Sequence, residues 1–234
     1  MKVIVTGASK GIGRGIASFL AMDGFDVGLL ARSKDTLEDL RQSLEEQDGT
    51  CYSVACDIRD RDQVNYAVAA LVEGLGGVDA LINNAGLVIR KNVFDISLDE
   101  WHALIDTNIN GLFYMTRAVL PYMKEQGRGH IINISSISGK VPLPGGSAYA
   151  ASKYAVTGFS QSLFQELRDY GITVTTVFPG SVDSASHRHD PNDDHSWKVQ
   201  PEEVGQVCRD ILRMRPGAAM SEVEIRPLAR PPKT

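Results

Sequence analysis

Short apolar runs alternate with longer amphipathic stretches along the chain. The apolar runs are rich in β-branched residues and end at polar or glycine residues, which predicts strands, while apolar residues at helical spacing predict helices. The predicted strands cover residues 2–6, 26–31, 50–55, 79–83, 129–135, 172–178 and 222–226. The predicted helices cover residues 11–22, 34–47, 60–74, 98–126 with a break around Asp106, 149–170 and 201–214.

This alternation is typical of an α/β protein built on one parallel sheet. Several strands are unbroken apolar runs, which indicates a doubly wound, mostly seven-stranded sheet with helices on both faces. The sequence holds no internal repeat and no linker-like tract, so we expect a single domain over residues 1–234. The polar segment at about 181–200 fits neither pattern and is predicted to be a long loop.

A glycine-rich turn follows the first predicted strand. Its sequence, Gly7-Ala8-Ser9-Lys10-Gly11-Ile12-Gly13, has the spacing G-x-x-x-G-x-G and precedes a predicted helix. Glycines let the backbone approach a pyrophosphate closely, and the helix N-terminus offers free N–H groups and partial positive charge. The turn therefore predicts a dinucleotide site, the alternative being an ordinary glycine-rich turn.

The end of the second predicted strand carries cations where an NAD-binding protein usually has a carboxylate. Arg32 and Lys34 stand there, and Lys10 lies in the glycine turn. Cations at this place suit a 2′-phosphate, so we predict NADP(H) in preference to NAD(H). The alternative is that Arg32 and Lys34 are the solvated start of a helix.

Tyr149 and Lys153 share one face of a predicted helix because they are four residues apart. An ammonium beside a phenol favours the phenolate, so we expect Lys153 to lower the pKa of Tyr149. Such a phenol can exchange a proton with an alcohol or carbonyl oxygen. Taken singly, Tyr149 could be a helix-start aromatic residue and Lys153 a surface cation.

From about Lys2 to Ser184 these motifs resemble the short-chain dehydrogenase/reductase family. The resemblance also draws on Asn83-Asn84-Ala85-Gly86, on Thr107-Asn108-Ile109-Asn110-Gly111 and on Ser136, which lies thirteen residues before Tyr149. It implies a single-domain Rossmann fold and a catalytic tetrad of Asn108, Ser136, Tyr149 and Lys153. The implied cofactor contacts are Gly7, Ser9, Lys10, Gly11, Ile12, Gly13, Arg32, Asp57, Ile58, Asn84, Ala85, Gly86, Tyr149, Lys153, Pro179, Gly180, Val182 and Ser184.

The resemblance implies an NADP(H)-dependent oxidoreductase that transfers a hydride to a carbonyl or from a secondary alcohol. Tyr149 would be the general acid or base, Ser136 would stabilise the carbonyl oxygen, Lys153 would bind the ribose, and Asn108 would hold a water. The ending Ser221–Pro227 resembles a subgroup of broad-range NADP-dependent alcohol or hydroxy-acid dehydrogenases. The alternative is a non-catalytic dinucleotide-binding or sensor protein on the same fold.

Substrate and assembly are less defined by the sequence. The apolar candidates for the substrate pocket are Leu87, Val88, Val141, Leu143 and Trp197, which favour a modestly hydrophobic ketone, aldehyde or alcohol. In the family, the segment matching 181–200 covers the substrate as a lid. The resemblance also implies a homotetramer or homodimer through residues 107–126 and 149–170.

Composition limits the partners and the cellular location that we expect for the protein. A formal net charge of −5 argues against nucleic acid or anionic membrane as a partner. The sequence shows no membrane-length apolar run or signal-peptide pattern, and its three cysteines predict no disulfide framework, so we expect the cytoplasm. A metal site is the alternative interpretation of part of the polar segment at about 181–200, but the flanking residues favour a solvated lid, and we predict no metal. The candidate ligands are His187, His189, His195, Asp190, Asp193 and Asp194.

Overall fold

Parallel strands form one sheet in the computed structural model of the protein, which describes residues 1–47, 49–184, 194–215 and 217–228. Within these residues the sheet has seven strands in the order β3-β2-β1-β4-β5-β6-β7, and every neighbouring pair is parallel. This confirms the predicted seven-stranded parallel sheet. The strands are β1 (Lys2–Thr6), β2 (Asp26–Ala31), β3 (Cys51–Ala55), β4 (Ala80–Asn83), β5 (Gly129–Ile134), β6 (Ile172–Pro179) and β7 (Glu222–Ile225).

Helices cover both faces of this sheet. Val3 and Val5 of β1 pack in a core with the first, second and last helices, whereas Ile4 packs in a second core with the third, fifth and sixth. This alternation follows from the strand period of two and confirms the doubly wound arrangement. The helices are α1 (Gly11–Met22), α2 (Lys34–Ser43), α3 (Arg61–Leu75), α4 (Leu98–Ile105), α5 (Gly111–Gln126), α6 (Ser147–Leu167) and α7 (Pro201–Leu212).

The predicted break around Asp106 is instead a π-helical segment, Asp106–Asn110, which joins α4 to α5 without interrupting the helix. Gly111 begins α5 directly after it, and a Cβ there would lie 2.6 Å from the side chain of Ile58. The wider turn therefore sits where the helix must pass close to the segment after β3. π-helical turns of this kind are frequently found at functional sites.

Three predicted helix ends extend too far, among them that of the last helix, which ends at Leu212 and not at residue 214. The backbone N–H groups of Leu44, Glu45 and Gln47 donate to carbonyl oxygens three residues earlier, so the chain after Ser43 continues as tight turns rather than α-helix. Similarly, α6 ends at Leu167 and is followed by a 3₁₀ turn, Arg168–Tyr170. None of the helices that the structure describes combines the length and apolar character needed to cross a membrane.

The topology brings the sequence motifs to one edge. Because all strands are parallel, the segments that follow β1, β4, β5 and β6 leave the sheet at its carboxyl edge. The strand order reverses between β1 and β4, and crevices at such switch points are where α/β proteins bind ligands.

Candidate active site

The glycine turn closes tightly against the end of β4. Gly7 has a φ of 66°, and a Cβ on Gly13 would lie 2.2 Å from the Gly7 carbonyl oxygen and 2.4 Å from Asn84 Nδ2. The same Asn84 amide donates to the carbonyl oxygen of Thr6 at 2.9 Å. Only glycine fits at position 13, and its presence lets α1 begin directly beside the crevice between β1 and β4.

The N-terminus of α1 has the character of an anion site. Lys10 precedes the helix in an extended conformation, with no side-chain cap and no acidic residue in the first turn. The first N–H groups and the positive end of the helix dipole are therefore available to a phosphate. Ser184 reaches this turn from the other end of the chain, since a Cβ on Gly11 would lie 3.3 Å from Ser184 Cβ. The residues present fit the pyrophosphate of a dinucleotide.

Exposed cations lie at the end of β2, as predicted. Arg32 follows the strand directly, and Lys34 begins α2. The neighbouring carboxylate of Asp57 is held by Arg59, with 2.5 Å between Arg59 Nη2 and Asp57 Oδ2. Hydrogen bonding to Arg59 is the largest cause that lowers the pKa of Asp57, and the charge of Arg32 adds to it. Arg59 was not among the predicted site residues.

Ile58 is one of the implied cofactor contacts, and the family resemblance assigns Asp57-Ile58 to adenine. The side chain of Ile58 is buried against Gly111. A contact from Ile58 to an adenine ring would therefore come from its backbone.

Tyr149 and Lys153 lie one turn apart on α6, and both are buried, with 6% relative exposure each. Lys153 Nζ donates to the Ile134 carbonyl oxygen at the end of β5 at 2.9 Å. Burial lowers the pKa of Lys153 to about 8.

Burial also changes the pKa of the Tyr149 phenol, in the direction opposite to the expected one. The pKa of Tyr149 is raised, because burial disfavours the phenolate more strongly than a hydrogen bond with Ser136 and the charge of Arg90 favour it. The expectation that Lys153 lowers this pKa is therefore wrong for this structure. The pKa of Tyr149 is raised because burial in low-dielectric surroundings favours the neutral form of both Tyr149 and Lys153.

Ser136 lies where β5 ends and a 3₁₀ turn, Ile137–Gly139, begins. Its Oγ accepts a hydrogen bond from the Ser138 N–H at 3.1 Å, and its side chain lies near enough to Tyr149 to lower the pKa of that residue. The turn packs closely on α6, since a Cβ on Gly139 would lie 2.8 Å from the Lys153 carbonyl oxygen. The serine and the phenol are thus held together by adjacent backbone.

Asn108 lies in the π-helical segment and is 2% exposed. Its Oδ1 accepts from the Leu87 N–H at 2.7 Å, and its Nδ2 donates to the Leu87 carbonyl oxygen at 3.0 Å and to Ser152 Oγ at 2.9 Å. A Cβ on Gly86 would lie 3.4 Å from Asn108 Oδ1 and 3.7 Å from Lys153 Nζ. Because Gly86 has no side chain, Asn108 Oδ1 and Lys153 Nζ face the same small space. The structure thus brings all four predicted tetrad residues into one region.

An apolar wall adjoins the phenol. Tyr149 packs with Leu104 and Ala148, and partly buried apolar side chains pack against this cluster: Leu87, Val88, Ile89, Ile96 and Leu143. Three of the five predicted pocket residues are thus beside Tyr149. Val141 is 46% exposed, and Trp197 is half-buried with its ring beside Lys198.

The two ends of the predicted lid are joined to each other. Val182 forms a parallel bridge with Val199, and the Asp183 N–H donates to the Val199 carbonyl oxygen at 2.8 Å. His195 Nδ1 lies 2.8 Å from Asp183 Oδ1. Residues 185–193, the middle of the predicted lid, lie outside the described residues. Gly180, beside Pro179, donates its N–H to the Ile225 carbonyl oxygen at 2.8 Å.

Of the residues weighed as metal ligands, His195 and Asp194 are described, and the other four lie outside the described residues. The part of the chain that the structure describes contains no group of three histidine, cysteine or carboxylate residues placed to hold a metal ion. It also contains Cys51, Cys56 and Cys208 as free thiols.

Comparison with known proteins identifies the family. The family model for short chain dehydrogenases matches residues 1–195. The chain belongs to the short-chain dehydrogenase/reductase family. An uncharacterized oxidoreductase of Staphylococcus aureus is 34% identical over 226 residues, which cover 96% of both chains. The family assignment makes this protein an oxidoreductase of the short-chain dehydrogenase type.

Solved structures of the same family resemble the whole chain. An alcohol dehydrogenase from the archaeon Thermococcus sibiricus, complexed with 5-hydroxy-NADP, superposes with a TM-score of 0.91 at 27% identity and covers 100% of this chain and 99% of its own. A closed form of serine dehydrogenase complexed with NADP⁺ has a TM-score of 0.87 at 31% identity, covering 97% and 95%. Both neighbours bind a form of NADP, the cofactor that the sequence predicts for this chain.

Besides Arg59, three further residues of the site are absent from the predicted contacts. Ser152 is the acceptor for Asn108, and Thr6 Oγ1 accepts the N–H groups of Asn84 and Ala85 at 3.0 Å each. Arg90 places its Cζ 5.9 Å from the centroid of the Tyr149 ring. A signal existed for Ser152, which directly precedes Lys153 on the same helix, and for Thr6, which precedes the glycine turn; only the fold places Arg90.

Proposed function

We propose that the protein is an NADP(H)-dependent oxidoreductase that interconverts a carbonyl compound and a secondary alcohol. The observation that carries this proposal is the buried phenol of Tyr149, which lies beside Ser136 and one helical turn from Lys153, at the carboxyl edge that also holds the glycine turn. The NADP-bound neighbours, an alcohol dehydrogenase and a serine dehydrogenase, support the cofactor and the class of reaction.

Different residues of the crevice would bind different parts of the cofactor. The glycine turn and the start of α1 would hold the pyrophosphate, and the cations Lys10, Arg32 and Lys34 would hold the 2′-phosphate. The remaining contacts of the proposed site are those predicted from the sequence, with Lys153 on the ribose hydroxyls and Pro179-Gly180 beside the nicotinamide. When bound, the nicotinamide supplies the hydride in reduction and accepts it in oxidation.

Tyr149 is suited to act as the acid of the reduction. Because its pKa is raised, the phenol is protonated at neutral pH and can donate its proton to the carbonyl oxygen of a substrate. Ser136 Oγ accepts from the Ser138 N–H, so its own hydroxyl hydrogen is directed to another acceptor, and we assign that acceptor as the same carbonyl oxygen.

Lys153 and Asn108 would return the proton to Tyr149. A lysine with a pKa of about 8 exchanges protons readily near neutral pH. Asn108 Oδ1 accepts one hydrogen bond from Leu87, and a carbonyl oxygen can accept a second one, which suits the water implied by the family resemblance. Asn108 is therefore assigned a positioning role beside Lys153.

The decisive test of this proposal is Tyr149→Phe. The phenylalanine keeps the ring and its packing but removes the proton donor, so turnover of a carbonyl panel should fall by about 10²–10⁴-fold. The dissociation constant for NADPH, measured by fluorescence titration, should change little. The matched control is Tyr66→Phe, at a tyrosine of α3 that is 73% exposed.

Retention of most of the rate by Tyr149→Phe would contradict the assigned role. If the unaltered protein binds NADPH but turns over no carbonyl or alcohol in a broad panel, the non-catalytic alternative is favoured instead.

We also propose self-association through α5 and α6, as a homodimer or homotetramer. Phe113 of α5 and Tyr154 of α6 are 45% and 43% exposed, and Phe113 lies edge-on to Phe159. A hollow of about 150 Å³ between the helices is lined by Leu112, Phe113, Ala155, Val156 and Phe159. Sedimentation velocity measures the assembly directly. The cytoplasmic location stays a prediction.

A further inference from the structure

Lys140 lies at the end of the turn that carries Ser136. Residues 136–140, here called the serine turn, are closed by two backbone hydrogen bonds. The Gly139 N–H donates to the Ser136 carbonyl oxygen at 2.8 Å, and the Lys140 N–H donates to the Ile137 carbonyl oxygen at 2.9 Å. The chain continues as a largely exposed loop over residues 141–146, which leads into α6 and Tyr149. Along the chain, Lys140 therefore stands between the two groups that the proposed reaction directs at one substrate oxygen.

The side chain of Lys140 is held by the last two strands of the sheet. Its Nζ lies 2.6 Å from Glu222 Oε2 of β7 and 4.1 Å from the centroid of the Phe178 ring of β6. Phe178 is fully buried, so its ring gives the ammonium a fixed cation–π partner. These two contacts set the position of the end of the serine turn relative to β6 and β7.

Glu222 is itself oriented by a second partner. Gln161 Nε2 of α6 donates to Glu222 Oε1 at 2.8 Å, so the two carboxylate oxygens have different partners. Hydrogen bonds from Lys140 and from Gln161 lower the pKa of Glu222, which is ionised at neutral pH. Gln161 lies about two helical turns after Lys153 on α6. The carboxylate thus connects the end of the serine turn to the helix that carries Tyr149 and Lys153.

The same strand also contacts the segment that we assign to the nicotinamide. The Ile225 carbonyl oxygen, at the end of β7, accepts the Gly180 N–H at 2.8 Å. A Cβ on Gly180 would lie 3.3 Å from Pro227 Cδ, so the two segments are in close contact. The strand β7 therefore contacts the serine turn through Glu222, its first residue, and the Pro179-Gly180 segment through Ile225, its last.

We propose that Lys140 is a positioning residue for Ser136, and that its ion pair with Glu222 fixes the Ser136 hydroxyl relative to the Tyr149 phenol. The inference rests on the proposed function and gives the last strand a part in catalysis. The Lys140 and Glu222 side chains are 32% and 30% exposed, and ion pairs of such exposure contribute little to global stability. The pair acts instead on geometry, because a displacement of about 1 Å at a reacting group can lower a rate by about 100-fold.

Lys140→Met tests this role on the carbonyl compound that the unaltered full chain reduces fastest. Methionine keeps an unbranched side chain beside the Phe178 ring but removes the charge. We expect kcat to fall by about 10-fold, while the NADPH dissociation constant changes by less than about 2-fold. Lys140→Arg keeps the cation and should retain most of the kcat.

Coupling to Ser136 distinguishes positioning from a general structural effect. If Lys140 acts through the Ser136 hydroxyl, Lys140→Met should lower kcat by less than about 2-fold in a protein that already carries Ser136→Ala. Glu222→Met should lower kcat as much as Lys140→Met does, and the two changes together should cost no more than either alone.

Arg213→Met is the matched control. Arg213 also joins a carboxylate and an aromatic ring, since its Nη2 lies 2.5 Å from Asp23 Oδ2 and its Cζ lies 5.9 Å from the centroid of the Phe25 ring. Asp23 and Phe25 directly precede β2, at the amino edge of the sheet and opposite the site. The control should therefore leave kcat unchanged. Urea midpoints close to that of the unaltered protein verify that each variant is folded.

Hydrogen–deuterium exchange gives a second readout that needs no turnover. In Lys140→Met the amide hydrogens of peptides covering residues 136–146 should exchange at least about 5-fold faster than in the unaltered protein, because the end of the serine turn has lost its contact with β7. Peptides covering α1 should be unaffected, and Arg213→Met should leave the exchange of residues 136–146 unchanged.

The outcomes separate the two proposals. An unchanged kcat in Lys140→Met, or unchanged exchange over residues 136–146, overturns the positioning role while the oxidoreductase activity stands. An equal loss of kcat with and without Ser136→Ala also overturns it, since Lys140 would then act on another group. If the unaltered protein reduces no carbonyl at all, the proposed function fails and the catalytic role of Lys140 fails with it.

Discussion

Asn108 Nδ2 donates a hydrogen bond of 2.9 Å to Ser152 Oγ, across 44 residues of sequence. Ser152 in turn donates to the Tyr149 carbonyl oxygen at 2.7 Å. The two bonds connect the π-helical segment between α4 and α5 to the turn of α6 that carries Tyr149 and Lys153. The π-helical segment therefore has a direct structural consequence, because it carries the amide that braces the proposed proton donor.

Ser152→Ala should remove this brace and leave one of the two N–H groups of Asn108 Nδ2 without its acceptor, while the other still donates to the Leu87 carbonyl oxygen. We expect kcat to fall by about 10-fold and the free energy of unfolding to fall by about 1–3 kcal/mol, with the NADPH dissociation constant almost unchanged. Steady-state kinetics, urea unfolding and NADPH titration measure the three quantities. Ser162→Ala, an exposed serine on the same helix, is the control. A loss of stability with full activity would mean that the hydrogen bond supports the fold but not the reaction.

Cofactor preference depends on Arg32 if the exposed cations at the end of β2 meet a 2′-phosphate. Arg32→Ala should weaken NADPH binding by about 10–100-fold and NADH binding by less than about 2-fold, since only NADPH carries the phosphate. Arg61→Ala removes another exposed arginine, paired with Asp62, and should affect neither cofactor. Fluorescence titration at two salt concentrations measures both affinities. Equal weakening of NADPH and NADH by Arg32→Ala would exclude the phosphate contact.

The buried charge of Lys153 should reduce the stability of the folded protein. The unfolded chain releases this proton near the ordinary pKa of 10.5, whereas the folded protein releases it near 8. Below pH 8 both states are protonated and the cost of burial is fully present. The cost disappears as the pH rises from 8 to 10.5, because over that range only the unfolded chain still holds the proton.

Lys153→Met should therefore stabilise the fold near pH 7 by about 2 kcal/mol, after allowance for the lost hydrogen bond to Ile134. The advantage of the variant should shrink steadily as the pH is raised above 8, even though activity is lost at every pH. Urea unfolding of both proteins at a series of pH values measures it. The exposed Lys124→Met is the control. An advantage that does not depend on pH would show that packing, not charge, causes it.

Most of the strands were predictable because they are short runs rich in apolar residues that end near a glycine or polar residue. The glycine turn and the Tyr149–Lys153 pair were predictable because their spacing places them on a strand–turn–helix unit and on one helix face. Ser136 was implied only by the family resemblance. Arg90 could not be predicted, because its contact is with Tyr149, 59 positions away, and no local pattern records it. For Ser152 the position beside Lys153 was a local signal, but its partner Asn108 lies 44 positions away.

The pKa of Tyr149 is a second property that could not be predicted from the sequence. The sequence contains the neighbouring ammonium, which lowers a phenol's pKa, but it does not state that both groups are buried. Burial depends on how α6 packs against the turn after β5, and it is the stronger effect here. Likewise, the polar residues around Asp106 indicated an interruption of the helix, whereas packing of Gly111 on Ile58 accommodates a wider turn instead.

Two glycines offer the same substitution with opposite expected results. A Cβ at position 13 would lie 2.2 Å from the Gly7 carbonyl oxygen, so Gly13→Ala must displace the glycine turn and should cost about 2–4 kcal/mol of stability together with most of the NADPH affinity. Gly158, in α6, has no atom within 4 Å of its Cβ position, so Gly158→Ala should gain about 0.5–1 kcal/mol through helix propensity. Urea unfolding and NADPH titration compare the two. If Gly13→Ala binds NADPH as well as Gly158→Ala does, the glycine turn is not the pyrophosphate site.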